Sequence, residues 1–200
     1  MQGPAYQAVR RETAMGVDVD TPLRGRAYLF GDNIPGDDGI VPFSVVRNIY
    51  ETDHSGLASL CMTPVDPTFP QRFERGGFLV AGQNFPTGIA HEQAIWALAA
   101  VGVAAVITES MGSGFFQACL SDGLPAFPLP GITALAHEGD ELEVHLRRGF
   151  VRNLTTGQEL QGAPMPERIA DVLGIGGTRA YVAAKYHARP RAAAAAQAGG

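Results

Sequence analysis

The order of apolar runs along these 200 residues makes the chain an α/β protein. Three observations carry that reading. Residues 78–81 and 103–108 are short apolar runs on either side of an Ala- and Leu-rich segment, residues 91–101. That strand–helix–strand order predicts a βαβ unit with a parallel pair and a right-handed crossover. A second pass of the same kind follows, with residues 115–120 as a short helix ended by Gly123 and Pro125 opening the next extended segment. Finally, residues 141–148 alternate. Leu142, Val144 and Leu146 share one face, while Glu141, Glu143, His145 and Arg147 share the other, as in a half-buried strand.

The remaining elements fall into order around these. Residues 1–23 lack periodicity and read as an N-terminal arm, residues 24–187 as one domain, and residues 188–200 as a low-complexity tail. Residues 26–30 form a short strand. The following GDNIPGDDGIVP carries too much Gly, Pro and Asp for anything but a loop. Residues 43–50 fit either strand or helix, and two prolines make residues 63–69 a connection. Gly149 turns the alternating strand into residues 150–154, and residues 155–158 turn again. Residues 166–173 close the domain as a helix, with Pro166 at its first turn and Gly174 past its end. No internal repeat is evident.

Composition narrows the function. The chain is 46% hydrophobic with a formal charge of -5, so it has material for one real core and no basic surface for nucleic acid or acidic lipid. Arg147 and Arg148 read as a solvated strand end. Cys61 and Cys119 lack the spacing of a metal site or a disulfide scaffold and read as small buried hydrophobes. His54, His137, His145 and His187 are scattered without ligand spacing, so no metal is assigned to this chain. Trp96, Phe115 and Phe116 read as core. No apolar run is long enough to span a bilayer, and the first residues lack the apolar centre of a signal peptide. The default compartment is the cytoplasm. MGSGFF is Gly-rich but has neither the lysine of a phosphate-binding P-loop nor a GxGxxG spacing.

Five fragments and a C-terminal group, in order, are similar to one known family: FGDNI at residues 30–34, VAGQNF at 80–85, EQAIWAL at 92–98, GVAAVI at 102–107, DGLPAF at 122–127, and the C-terminal GDELEV, RNLTTG and PMPERI. Together they resemble the small subunit, or swivelling domain, of the aconitase and 3-isopropylmalate dehydratase superfamily, over most of the chain. The resemblance implies a swivelling β/β/α three-layer domain packed over a separate large subunit that holds a 4Fe-4S cluster, with no cofactor bound by this chain. It implies a reaction that removes and re-adds water on a hydroxy acid. Such a site needs groups that grip carboxylates and a base that takes a proton from carbon.

By that resemblance Arg47 grips a substrate carboxylate, a task suited to a planar guanidinium. Asp37 and Asp38 sit where the family has one aspartate, with one extra residue in this chain, and both are candidates for the catalytic carboxylate. A local turn role is the alternative for each. The loop before the helix departs from the family. Where the family reads Gly-x-Gly-Ser-Ser-Arg-Glu-His, this chain reads Pro86, Thr87, Gly88, Ile89, Ala90, His91, Glu92, Gln93. Ile89 stands at the catalytic serine and cannot move a proton. His91 stands at an arginine, and an imidazole is not the permanent cation that a guanidinium is. Ser113 stands at another arginine. Two functions follow. In one, the chain is still the small subunit of a hydro-lyase or isomerase, with His91 or an Asp37/Asp38 carboxylate as base and Arg47, Thr87, Gly88 and His91 holding the acid. In the other, the domain has become a binding or assembly module.

Overall fold

Residues 16–44 and 56–188 are described in this computed structural model. Everything is organised on β1 (Leu23–Phe30), which serves two sheets at once. Residues 23–26 pair antiparallel with β5 (Glu141–His145), and residues 27–30 pair parallel with β2 (Phe78–Ala81). The parallel half continues through β3 (Ala105–Thr108) and β4 (Ala126–Pro128). The antiparallel half continues through β6 (Phe150–Asn153) and β7 (Glu159–Gln161), giving the order β4-β3-β2-β1-β5-β6-β7. Seven helical segments are described: α1 (Leu57–Leu60), α2 (Phe69–Arg72), α3 (Glu92–Val101), α4 (Ser113–Asp122), α5 (Ile132–Leu135), α6 (Glu167–Gly174) and α7 (Thr178–Ala188).

Two cores explain why the central strands are apolar on both faces. Phe78 and Val80 of β2, with Ala105 and Ile107 of β3, face Leu142 and Val144 of β5 and Val151 of β6. The two half-sheets therefore close on one another, with α5 and α6 contributing Ile132, Leu135, Ala170 and Leu173. The alternate residues, Leu79, Ala81 and Val106, face the other way onto Ala94, Ile95, Leu98 and Val101 of α3, Phe115 of α4, and Leu57 and Phe69 of α1 and α2. Alternation at period two thus feeds two apolar layers, and strands such as FLVA read as unbroken hydrophobic runs. The result is a β/β/α arrangement of three layers, and Phe69, Phe78 and Phe85 are fully enclosed within it. Burying a side chain of that size is worth about 1.5–3 kcal/mol.

α3 forms because EQAIWALAAV is rich in strong helix formers and begins with a glutamate. It ends at Gly102, whose left-handed φ of 99° brings its N–H to the Leu98 and Ala99 carbonyls. The sequence expectations are refined in several places. β1 begins at Leu23 rather than residue 26, and β3 at Ala105 rather than residue 103. The alternating strand stops at His145, because Leu146 and Gly149 close a hydrogen-bonded turn; Arg147 there pairs with Asp20 instead of ending a strand. Phe115 is core, whereas Phe116 and Trp96 are only partly buried. Glu143, on the polar face of β5, is buried between Arg24 and His145. α1, α2, α5, β7 and α7 had no counterpart in the sequence reading. Residues 43–50 fall largely outside the described residues, as does His54.

Two stability tests follow. Gly177 has a φ of 98°, and a Cβ there would lie 2.5 Å from the Gly123 nitrogen and 2.6 Å from the Ser121 carbonyl oxygen. Gly177→Ala should therefore cost more than about 2 kcal/mol, read as a lowered urea midpoint. Burial acts to raise the Glu109 carboxyl, but hydrogen bonds from the Thr133 hydroxyl and from the Gly131 and Thr133 N–H groups outweigh it and leave it below the ordinary carboxylate range. Hydrogen bonds from His145 and Arg24 likewise lower Glu143. Carboxyls depressed in the fold stabilise it fully above their unfolded pKa and lose that effect as pH falls through the folded value. The urea midpoint should hold from pH 8 to about 5 and drop below about pH 4.

Candidate active site

β1, β2 and β3 run parallel, so their carboxyl ends and the loops that follow lie on one edge of the sheet, the usual place for a ligand in such a fold. The loop after β1 and the loop after β2 are sewn together. The Asn33 N–H donates to the Gln83 carbonyl at 2.8 Å, Thr87 N–H to Ile34 at 2.8 Å, and Gly36 N–H to Thr87 at 3.1 Å. A parallel bridge between Pro35 and Thr87 carries the pairing beyond the strands. Asp32 Oδ1 accepts from the Gln83 N–H at 2.7 Å, and a Cβ on Gly82 would sit 1.9 Å from that oxygen. A side chain there would have to displace the Asp32 carboxylate from the Gln83 N–H. Gly36 is held as closely, since its Cβ would meet the Ile89 carbonyl oxygen at 2.5 Å.

The stitching brings Asp37 to His91. The His91 Nδ1 lies 3.0 Å from each oxygen of the Asp37 carboxylate. A carboxylate only accepts, so Nδ1 carries the proton, and in the neutral ring Nε2 keeps its lone pair for a ligand. His91 is the N-cap residue of α3, yet its side chain makes no cap hydrogen bond; the ring is turned to Asp37 instead. With side chains 40% and 21% exposed, His91 and Asp37 are reachable from solvent. Ile89 is 72% exposed and projects from the same loop.

The other sequence-derived candidates divide. Asp38, at a φ of 58°, accepts the Phe43 N–H at 2.6 Å, which is the local turn role. It is Asp37 that meets the histidine. The Thr87 N–H is taken by Ile34, and its hydroxyl donates to the Asn33 carbonyl at 3.4 Å, so Thr87 holds the loop pair together. Gly88 is exposed at a φ of 69°, with nothing within 4 Å of where a Cβ would stand. Arg47 lies outside the described residues. Ser113 is exposed in the first turn of α4.

Sequence reasoning missed three residues. Asn33 and Asn84 hold left-handed φ values of 57° and 56°, and the Asn84 amide donates to the Asn33 side-chain oxygen at 2.9 Å. Ser110, after β3, accepts the Asn84 N–H on its hydroxyl at 2.8 Å and the Phe85 N–H on its carbonyl at 3.0 Å, tying in the third loop. The available signal was asparagine in a Gly-rich loop, the residue most tolerant of that conformation after glycine.

Among the described residues no cluster of three or more His, Cys, Asp or Glu could hold a metal, and burial pushes the Cys61 and Cys119 thiols up. The donor set of these residues does not fit an iron–sulfur cluster. An open cavity of about 570 Å³ lies elsewhere, between Asp18, Arg147, Asp171 and Tyr181, and includes none of the candidate residues. Among the described residues no helix is long and apolar enough to cross a membrane.

Comparison with known proteins agrees with this architecture. The Aconitase C-terminal domain family matches residues 63–128. The chain belongs to the small-subunit family of the aconitase superfamily. It is 42% identical over 160 residues to the 3-isopropylmalate dehydratase small subunit of Pyrobaculum calidifontis, covering 80% of this chain and 96% of that protein. It is 37% identical over 163 residues to the isopropylmalate/citramalate isomerase small subunit of Methanocaldococcus jannaschii, covering 82% and 95%. The crystal structure of 3-isopropylmalate dehydratase from the same organism superimposes with a TM-score of 0.75 at 28% identity, over 83% of this chain and 96% of that one.

The asparagine pair can be tested by two substitutions at one site. Asn84→Gly keeps the backbone conformation and loses the amide, whereas Asn84→Ala loses both. The alanine variant should be less stable than the glycine variant by about 1 kcal/mol, measured by urea denaturation.

Proposed function

We propose that this chain is the small subunit of a heteromeric hydro-lyase that dehydrates and rehydrates a 2-hydroxy carboxylic acid, closing over a large subunit that carries the 4Fe-4S cluster. The observation that carries the reading is the Asp37–His91 pair at the carboxyl edge of the parallel strands. His91 Nε2 takes the proton from the substrate carbon and returns it, and Asp37 orients the ring and stabilises the imidazolium that forms. This is the work that Ile89, where the family has serine, cannot do. Gly88 leaves open space at the start of α3, where the helix dipole favours a carboxylate, and Arg47 supplies the charged grip. The exposed Ile89 side chain supplies an apolar wall, which suits an acid with a hydrocarbon substituent better than one bearing a further carboxylate. The names of the relatives, 3-isopropylmalate dehydratase and isopropylmalate/citramalate isomerase, fall in that class. The cytoplasm is the compartment that goes with such an enzyme.

The test is co-expression with the large subunit and assay of 3-isopropylmalate and citramalate. His91→Ala should lower kcat by about two to four decades. Asp37→Asn should lower kcat less, with KM little changed in both. Full turnover in His91→Ala would reject the base assignment. A wild-type complex that assembles but dehydrates neither acid would favour the binding-module reading, to which the aliphatic Ile89 points.

A further inference from the structure

We propose that Arg179 is a positioning residue for this site: it acts through Glu92, cancelling a negative charge that otherwise stands beside the place where a substrate carboxylate binds. The inference rests on the functional reading above. Glu92 follows His91 directly and opens α3. A glutamate in a first turn is good for the helix and bad for an anion arriving at the same turn. Asp37, already neighbouring His91, adds a second carboxylate to the region. Uncompensated, the two would repel the acid the site is proposed to hold.

The fold supplies the compensation from far along the chain. Gly176 and Gly177 have φ values of 97° and 98°, and this turn packs against Gly123 at the end of α4 so closely that a Cβ on Gly123 would meet the Gly176 carbonyl carbon at 2.7 Å. α7 therefore starts against the end of α4, and Arg179, in its first turn, reaches across to α3. Its Nη2 pairs with Glu92, and its Nη1 lies 3.3 Å from Asp122. Asp122 in turn accepts the Trp96 indole N–H at 3.1 Å, so the guanidinium is braced against α3 and α4 together. Its side chain is 30% exposed and the Asp122 side chain 12%. Glu92 is 51% exposed and Asp122 shares the guanidinium, so solvent and salt screen part of the pairing, but a braced guanidinium keeps a fixed direction toward Glu92, unlike a free surface lysine.

The experiment is calorimetric titration of the co-expressed complex with 3-isopropylmalate, alongside turnover, at about 50 mM and about 500 mM salt. Arg179→Ala should weaken Kd about three- to tenfold at low salt and much less at high salt, with kcat near wild type. Glu92→Gln in the Arg179→Ala background should bring Kd back to within about twofold of wild type, as in a double-mutant cycle. Arg179→Lys should retain most of the affinity. If the ion pair only braces the fold, Kd will be unchanged in Arg179→Ala, or weakened without recovery by Glu92→Gln, and either result overturns the inference while leaving the functional reading intact. A wild-type complex that neither binds nor dehydrates the acid overturns that reading and this inference with it.

Discussion

One strand has to pair with two partners that run in opposite senses, and the molecule is built around that constraint. β1 gives residues 23–26 to β5 and residues 27–30 to β2. The change of partner leaves the upper half of β1 with an open edge on the β5 side, and the Glu138 carboxylate caps it by accepting the Leu29 N–H at 2.6 Å. Arg72 of α2 pairs with the same carboxylate, so the point of divergence is tied to the helical layer. Gly25 sits just before the switch, where a Cβ would fall 2.3 Å from the Gly76 carbonyl oxygen. Were β1 to follow one sheet only, the two half-sheets could not close over the core that holds Phe78, Val80 and Leu142.

The same strand sets the chemistry. Because β1 and β2 are parallel neighbours, the loops that leave them begin side by side, and the Asn33–Gln83, Ile34–Thr87 and Gly36–Thr87 hydrogen bonds extend that pairing outwards. Asp37 and His91 meet as the next step of this ladder. The geometry is fixed by backbone bonds and by the close packing around Gly36 and Gly82, so the Asp37–His91 pair is held with little freedom to rearrange. α3 then carries His91 as its N-cap, and the helix is held in place by Arg179, which pairs with Glu92 and Asp122, and by the Trp96–Asp122 hydrogen bond.

Much of the framework was legible before any coordinates. Both faces of β2 and β3 are buried, so their apolar runs are unbroken; α3 and α4 end at glycines that take left-handed φ; β5 alternates because only one of its faces is core. The site was legible in part. The aspartate pair stood out by its place after a family-like segment and His91 because the loop departs from the family there, while the asparagines at left-handed φ, and the short elements α5 and β7, left too weak a local signal. Segments of three or four residues are stabilised by what they pack on, not by their own propensities.

The sequence alone determined the α/β class, the crossover units and the family to which the chain belongs, because periodicity, helix stops and motif order are local properties of the chain. It could not decide between Asp37 and Asp38. They are adjacent residues of the same chemistry, and the choice depends on which carboxylate the loop turns toward α3 and which it spends on the Phe43 N–H. Nor could it pair Arg179 with Glu92, which lie 87 residues apart. Those contacts exist only once the turn at Gly176 and Gly177 packs on the end of α4, and close approach of distant segments is settled by the packing of the whole core.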